Sequence, residues 1–477
     1  ERDVVVVAAA GNTNAELTFY PASYDHVLSV AASTNDGTKS SFATYSYYVD
    51  LVAPGTAAYS TRNNSTYGTA DGSSFSSPQV AGAAALLRSY FPKYSAVQIM
   101  EQLRITGTSV DGLAGNAQYK GLLGRGMLNM YSALTDTLSP SVRLVKDSLH
   151  TQAGQKVFFG DTVHYELEAI NWLKPASGLE ITLEPLSSIV TLSGNTWTTP
   201  YLATFDTTTY AFSAILDEST PPGSRVIFKA KVKASGYNDT QYFEFTTHPD
   251  STTTSSANLS LTINSKGDLG YTKDSLKAGN GFTFQNIRVV SHAGFLVGNS
   301  GASLADNVAN NLVFGTRNND FSVDKHLKLF GGTVADNYYE NSFTASLSET
   351  LSTLVEQKTL SWDSPDDRNF MITEYRVTNT SADAIENLHA GLFTNWSIGS
   401  GDNNRTEWVD SLRLGITYID EDNIYGGIAL LTNNTPTFYA ADIDNLNENI
   451  AVTDSLLTDS LKFAWLSAEM VKTTAGQ

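Results

Sequence analysis

The stretch that decides the fold of the first part of this 477-residue chain is Asp71-Gly72-Ser73-Ser74-Phe75-Ser76-Ser77-Pro78-Gln79-Val80-Ala81-Gly82. It predicts an alanine-rich helix over Ser76–Tyr90, with Pro78 in the first turn, where a helix tolerates proline. Ser74 stands at the start of that helix, where backbone N–H groups and the positive end of the helix dipole would stabilise a developing oxyanion. A serine N-cap in a Ser/Gly-rich loop explains the same residues, so both interpretations stay open here.

Strand and helix signals alternate around this stretch, over residues 1 to about 137. Val4–Ala10 is a continuous apolar run, typical of a parallel strand covered on both faces. Two more strands are predicted at Val27–Ala32 and Val49–Val52. Two more helices are predicted at Ser95–Ile105 and Met127–Leu134. The alternation indicates an α/β domain with a parallel sheet flanked by helices.

Gly11-Asn12 directly follows the first strand, and such a pair at a strand end is by default a turn. With Asn12 ahead of it, however, the Asp71–Gly82 stretch resembles the nucleophile motif of subtilisin-like serine proteases (subtilases, peptidase family S8), Gly-Thr-Ser-Met-Ala-(Ala/Ser)-Pro-His-Val-Ala-Gly. The departures from that motif are Ser73 for threonine, Phe75 for methionine, Ser76 for alanine and Gln79 for histidine. The resemblance implies that Ser74 is the nucleophile and that the Asn12 amide donates to the oxyanion, a contribution worth about 10²–10³ in kcat in subtilisin itself.

Three further stretches resemble the same family in the same order, so the resemblance covers about residues 1–137. They are Tyr20–Ala31, Ser41–Gly55 and Gly124–Asn129. The resemblance implies a substrate-binding cleft bordered by Ala9, Ala10, Gly11, Phe19, Gly72 and Ser73. It also implies a weak structural site for calcium or a monovalent cation, formed by the carbonyls of Ala22, Tyr24 and Val27 with Asp50, although Tyr48 stands where an acidic partner is often found. No cofactor is required for the chemistry.

The subtilase mechanism also needs a histidine base and an aspartate that orients it. In the family order Asp…His…Ser, both would precede Glu1, and none of the seven histidines lies in a matching context. We therefore expect this chain to hold the C-terminal part of a catalytic domain, without its N-terminal part, and to be inactive alone.

Short alternating strands replace helical periodicity after Thr135. Residues 138–248 predict an immunoglobulin-like β-sandwich, residues 249–256 a Ser/Thr-rich linker, and residues 257–477 a second β-rich accessory domain without an obvious end. Acidic loops at Asp420–Asn423 and Asp442–Asn445 are candidate calcium ligands, but solvated turns are the stronger interpretation.

Composition excludes several classes of function. The net charge of −19 argues against a nucleic-acid partner, the lack of cysteine excludes thiol chemistry, and no apolar run reaches the roughly 20 residues of a membrane helix. We expect a secreted or cell-surface bacterial serine endopeptidase that cleaves proteins or peptides. The alternative is a non-enzymatic adhesion protein with a degenerate protease remnant, and a third hypothesis gives residues 257–477 a glycan or surface partner.

Overall fold

A computed structural model describes residues 3–151, 156–271, 279–311, 316–330, 334–399, 404–419, 424–432, 436–440 and 457–468. The chain divides into two compact units. Unit 1 consists of Glu1–Thr151, Gly160–Thr220 and Arg225–Thr246. Unit 2 consists of Gln152–Phe159, Pro221–Ser224 and Thr247–Gln477.

Unit 1 begins with an α/β part built on a three-stranded parallel sheet in the order β1-β2-β3. Its elements are β1 (Val6–Ala9), β2 (Val27–Ser33), β3 (Leu51–Pro54), the hairpin β4 (Ala58–Arg62) and β5 (Thr66–Ala70), α1 (Ser73–Tyr90), α2 (Ala96–Ile105) and α3 (Met130–Thr135), with short 3₁₀ helices at Asn63–Ser65 and Ala114–Tyr119. Apolar side chains of β2 and β3, such as Val30 and Leu51, pack against Val80 and Leu87 of α1 and Leu103 of α2. This core fixes α1, and with it the Ser74 turn, against the sheet.

Two expectations about this part are corrected. Helix α1 begins at Ser73, three residues earlier than predicted, so Pro78 lies in the second turn and, lacking an N–H, cannot bond the Ser74 carbonyl. Strand β1 is not covered on both faces: Val4 and Val6 are 60% and 47% exposed. Val5 and Val7 pack against the core on one face, and within the described residues nothing covers the opposite face, which carries Val4 and Val6. Strand β1 also stands at the edge of the described sheet, paired with β2 on one side.

The rest of unit 1, which we call the two-sheet region, contains eight described antiparallel strands. One sheet has the order β6-β7-β11-β9 and the other β10-β8-β12-β13. The strands are β6 (Val142–His150), β7 (Thr162–Asn171), β8 (Ala176–Pro185), β9 (Val190–Ser193), β10 (Thr196–Leu202), β11 (Thr207–Leu216), β12 (Arg225–Ala234) and β13 (Tyr237–Thr246). Alternate side chains of both sheets share one core, in which Phe212 of β11 contacts Phe228 of β12 edge to face. The expected β-rich region is therefore present, while its immunoglobulin-like classification stays a prediction.

Unit 2 is β-rich as well and ends, in its described part, with one helix. Its elements are β14 (Ser251–Ser255), β15 (Leu259–Asn264), β16 (Asp268–Leu269), β17 (Phe282–Phe284), β18 (Ile287–Gly298), β19 (Leu304–Asp306), β20 (Ala309–Asn311), β21 (Thr316–Arg317), β22 (Phe321–Phe330), β23 (Asn337–Ser346), β24 (Ser352–Ser361), β25 (Met371–Asn379), β26 (His389–Trp396), β27 (Arg405–Val409), β28 (Leu414–Ile419), β29 (Ile424–Ala429) and α4 (Asp459–Leu466), with a 3₁₀ turn at Asp410–Leu412.

The predicted linker at residues 249–256 is corrected by this structure, because Ser251–Ser255 is strand β14, paired antiparallel with β15. Thr252 and Thr254 are buried in that pairing. Threonine is β-branched and suits a strand, which explains why a Ser/Thr-rich run forms one here. The other predicted domain boundaries stay predictions.

None of the helices in the described ranges has the length and apolar character needed to cross a membrane.

Candidate active site

The turn that precedes α1 presents Ser74 to solvent. Ser73 is the first residue of the helix and is buried, whereas Ser74 is exposed. Gly72 caps the helix with φ +149°, a conformation that favours glycine, and its missing side chain leaves space beside Ser74. The predicted nucleophile therefore stands at a helix N-terminus, with its hydroxyl accessible to a substrate.

Asn12 is held in one orientation by Ser73. Its Oδ1 atom accepts hydrogen bonds from the Ser73 backbone N–H and from the Ser73 hydroxyl, both at 2.9 Å. The Ser73 hydroxyl in turn accepts the Gly11 N–H at 3.2 Å. Because the oxygen end of the amide is committed to Ser73, the Nδ2 donor faces away from it, toward Gly72.

Two N–H donors converge beside Gly72. The position that a Cβ atom would occupy on Gly72 lies 3.5 Å from Asn12 Nδ2 and 3.7 Å from the Ser74 backbone nitrogen. Donors from a side-chain amide and from a helix N-terminus that meet next to an exposed serine can together stabilise a negative charge on an oxygen placed between them. Asn12 and Ser73 lie 61 positions apart in the sequence, and the fold brings them into hydrogen-bonding contact.

The end of β3 supports the serine turn from behind. The Gly72 N–H donates to the Gly55 carbonyl at 2.8 Å, and the buried Ser76 hydroxyl donates to the Ala53 carbonyl at 2.9 Å. Gln79, which replaces the histidine of the resembling motif, donates from Nε2 to the Pro54 carbonyl at 2.7 Å. Gln79 therefore preserves a tie between helix and strand at this position.

The predicted cleft residues cluster around the same turn. Ala10 and Gly11 are buried behind Asn12, and Ala9 is half-buried. The Phe19 ring lies beside Gly11, since a Cβ on that glycine would stand 3.2 Å from a ring carbon. The ring is 40% exposed, so it forms a wall next to the Asn12 amide.

No general base is joined to Ser74 in the part of the chain that the structure describes, which includes all seven histidines. Histidine side chains bond elsewhere, as His164 does with the Ser213 hydroxyl at 2.9 Å. Asp3, which lies near the start of the chain, pairs with Arg88 at 2.5 Å. Neither residue supplies the missing members of a triad.

The residues of the predicted cation site do not fit a bound cation. Asp50 accepts the Ser29 N–H at 3.0 Å with one carboxylate oxygen and the Arg143 guanidinium at 2.7 Å with the other. The Tyr24 carbonyl accepts the Val27 N–H at 3.3 Å, and Ala22 is buried. Within the described ranges, no three acidic or histidine side chains are grouped as metal ligands. The positive charge of Arg143 already stands where the cation would be needed.

Sequence reasoning missed a buried ion cluster between α2, the start of β3 and the two-sheet region. Arg104 of α2 is 2% exposed and pairs with Glu101 at 2.9 Å and with Asp239 at 2.8 Å. Burial would raise the pKa values of Glu101 and Asp239, but the arginines around them hold both pKa values below the ordinary range. The available signal in the sequence was the pair of opposite charges Glu101 and Arg104, which lie one turn apart on α2.

Three tryptophans of residues 257–477 contact other residues of unit 2. Trp396 packs in the hydrophobic core of unit 2, and the Trp408 ring stacks on Phe438 at 5.2 Å. Trp362 donates from its indole N–H to the Val334 carbonyl at 3.0 Å. The loops Asp420–Asn423 and Asp442–Asn445 lie outside the described residues.

Residues 1–126 match the subtilase family. We call residues 1–126, which are similar to subtilases, the subtilase segment. Subtilisin BL of Lederbergia lenta is 39% identical to the subtilase segment over 132 residues, which cover 28% of this chain and 46% of the relative. Thermitase of Thermoactinomyces vulgaris is 38% identical over 130 residues, covering 27% of this chain and 44% of the relative.

Among solved structures, the subtilase segment is similar to the prenylagaramide maturation protease PagA, with 28% identity over 28% of this chain and 50% of that chain, and a TM-score of 0.26. The chain spans about half the length of the relatives that it matches.

Proposed function

We propose that the subtilase segment is the nucleophile-bearing part of a secreted bacterial serine endopeptidase, in which Ser74 forms an acyl-enzyme and Asn12 stabilises the oxyanion. The observation that carries this proposal is the convergence of Asn12 Nδ2 and the Ser74 N–H beside Gly72. The substrates are proteins or peptides, as the family match implies.

The reaction follows from these positions. The Ser74 hydroxyl oxygen attacks a peptide carbonyl carbon and gives its proton to a general base, and the carbonyl oxygen becomes an anion beside Gly72. Asn12 and the Ser74 N–H donate to that anion. Collapse of the tetrahedral intermediate releases the amine, which takes the proton, and water then hydrolyses the acyl ester on Ser74.

The base and its aspartate belong, in this proposal, to a segment that precedes Glu1 in a longer protein. Exposed apolar side chains favour such a segment. Leu86 and Tyr90 of α1 are 54% and 62% exposed, and Val4, before β1, and Val6, its first residue, are exposed too. Apolar side chains of this size on a sheet edge and the adjoining helix are typical of a surface that other parts of a protein cover.

The accessory regions act, in this proposal, around the protease rather than in its chemistry. The two-sheet region is an immunoglobulin-like sandwich attached to the subtilase segment, and unit 2 is a spacer or a binding module for a glycan or surface partner. The non-enzymatic adhesion hypothesis is not favoured, because the family match and the ordered Asn12–Ser73 contact argue against a decayed site.

The proposal is tested in the longer protein that carries the histidine and aspartate. Ser74→Ala should abolish casein hydrolysis, and Asn12→Ala should lower kcat by about 10²–10³ with little change in KM. Ser89→Ala, on the exposed face of α1, is the matched control and should keep full activity. Hydrolysis that survives Ser74→Ala would reject the assignment.

A second measurement uses the 477-residue chain itself. Without a base the Ser74 hydroxyl is a weak nucleophile, so phenylmethylsulfonyl fluoride should label the chain negligibly. Rapid labelling at Ser74 would show that the chain already contains a working base.

A further inference from the structure

We propose that Arg143, a residue of the two-sheet region, takes the place of a structural cation at Asp50, so that the subtilase segment is stabilised by its neighbour rather than by a metal ion. The inference concerns folding and does not depend on the proposed protease activity.

Asp50 needs a positive partner because it is buried, with 8% of its surface exposed. One carboxylate oxygen accepts the Ser29 N–H, and the other accepts a hydrogen bond from Arg143 Nη2 at 2.7 Å. A carboxylate removed from water without a partner is costly, and a guanidinium satisfies it both by charge and by hydrogen bonding. Arg143 thus performs at this position the neutralisation that a bound cation would perform.

The pairing across the interface is reciprocal. The cationic Arg143 meets two acids of the subtilase segment, Asp50 at 2.7 Å and Glu101 at 3.1 Å. The acidic Asp239 of the two-sheet region meets two cations of the subtilase segment, Arg104 at 2.8 Å and Arg125 at 3.3 Å.

The cluster of Asp50, Glu101, Asp239, Arg104, Arg125 and Arg143 is electrically complete, since its three acids balance its three arginines. A metal ion added beside Asp50 would introduce a positive charge with no acid left to balance it.

Apolar contacts surround these charges. Ile105, at the end of α2, packs into the core of the two-sheet region with Val142 and Ala169. The rings of Tyr47 and Tyr242 pack at 4.3 Å on the same interface. The Arg143 side chain is 34% exposed, whereas its acid partners Asp50 and Glu101 are 9% and 6% exposed, so removing Arg143 leaves buried carboxylates with one cation fewer.

The test is thermal unfolding of the 477-residue chain in EDTA, in CaCl2 and in KCl, for the parent and for Arg143→Met. We expect the variant to lose about 10 °C in Tm in EDTA, because a buried acid has lost its partner. We also expect CaCl2 or KCl to restore part of that loss, since Asp50 and Glu101 then become available to a cation. The decisive quantity is the cation-induced rise in Tm of the variant minus that of the parent.

Lys231→Met is the matched control, because Lys231 pairs with Glu184 on the exposed face of the same region. Its Tm should stay within about 2 °C of the parent, as for other surface pairs. A cation-induced rise of equal size in the parent and in Arg143→Met would overturn the proposal, as would equal stability of Arg143→Met and Lys231→Met.

The double variant Asp50→Asn/Arg143→Met covers the case in which Arg143→Met does not fold. Removing the acid along with its partner should recover folding or raise the Tm above that of Arg143→Met. A double variant that unfolds at or below the Tm of the single variant, or that also fails to fold, contradicts the pairing.

Discussion

Replacing Ser73 by alanine removes a buried hydroxyl that accepts the Gly11 N–H at 3.2 Å and donates to Asn12 Oδ1 at 2.9 Å. The lost hydrogen bond is worth about 1 kcal/mol, and leaving the buried Gly11 N–H without its acceptor costs about 1–3 kcal/mol more. We therefore expect the free energy of unfolding of unit 1 to fall by about 2–4 kcal/mol, which lowers its Tm by roughly 4–16 °C.

The same substitution loosens the proposed oxyanion donor. Asn12 keeps its bond to the Ser73 backbone N–H at 2.9 Å, so its amide remains partly oriented. In the longer protein we expect kcat to fall roughly 10-fold, less than the loss expected when the amide itself is removed. Ser73→Thr keeps a hydroxyl and should retain most of the stability and the rate.

Urea unfolding of the 477-residue chain and steady-state kinetics of the longer protein measure the two effects. Ser89→Ala makes the same chemical change at an exposed position of α1 and serves as the reference. If Ser73→Ala unfolded at the same urea concentration as Ser89→Ala and kept full kcat, the Ser73 hydroxyl would not be holding Asn12, and the reasoning would fail.

Two further predictions concern stability. Gly124→Ala should destabilise unit 1 by about 3 kcal/mol in a urea titration, because φ is +65° and the new methyl would lie 2.3 Å from the Asp50 carbonyl. Gly112→Ala is the control: its new methyl would meet no atom within 4 Å, and the free energy of unfolding should be nearly unchanged. Burial lowers the pKa of His292 in unit 2 to about 4, below its ordinary value near 6.5, so the unfolded state takes up the extra proton as the pH falls from 6.5 to 4. Parent unit 2 should therefore lose about 2–3 kcal/mol more than His292→Phe between pH 7 and pH 4.5, and equal losses in the two urea titrations would contradict this.

Local pattern was enough to predict several regular elements of unit 1. Val27–Ala32 became β2 with one residue added, and Ser95–Ile105 became α2 with one residue removed. Both patterns arise from burial within a few residues, which a sequence displays directly. The start of α1 was predicted three residues late, since Ser73–Phe75 has no apolar period to mark it.

Composition misled at the predicted linker. Ser251–Ser255 contains only serine and threonine, which also suit loops, yet its threonines alternate between buried and half-buried positions in a paired strand. The residues of this segment alone do not distinguish a linker from a strand, because its pairing with β15 depends on the sheet that it joins.

One long-range contact of unit 1 could be predicted from the sequence, and another could not. The meeting of Asn12 with the serine turn was predictable through the family resemblance, although the two lie far apart in the chain. The Arg143–Asp50 pair spans 93 residues and joins two different regions, and no periodicity or spacing records such a pair. The cation site was therefore predicted from the subtilase segment alone, while its positive charge comes from outside that segment.

The open edge of β1 has a practical consequence for handling this chain. A strand with one unpaired side and adjacent exposed valines is the geometry through which separate molecules add strand to strand into aggregates. We therefore expect concentrated samples to self-associate through this edge. Val6→Lys would reduce that association, because it places a charge between the two strands that would pair.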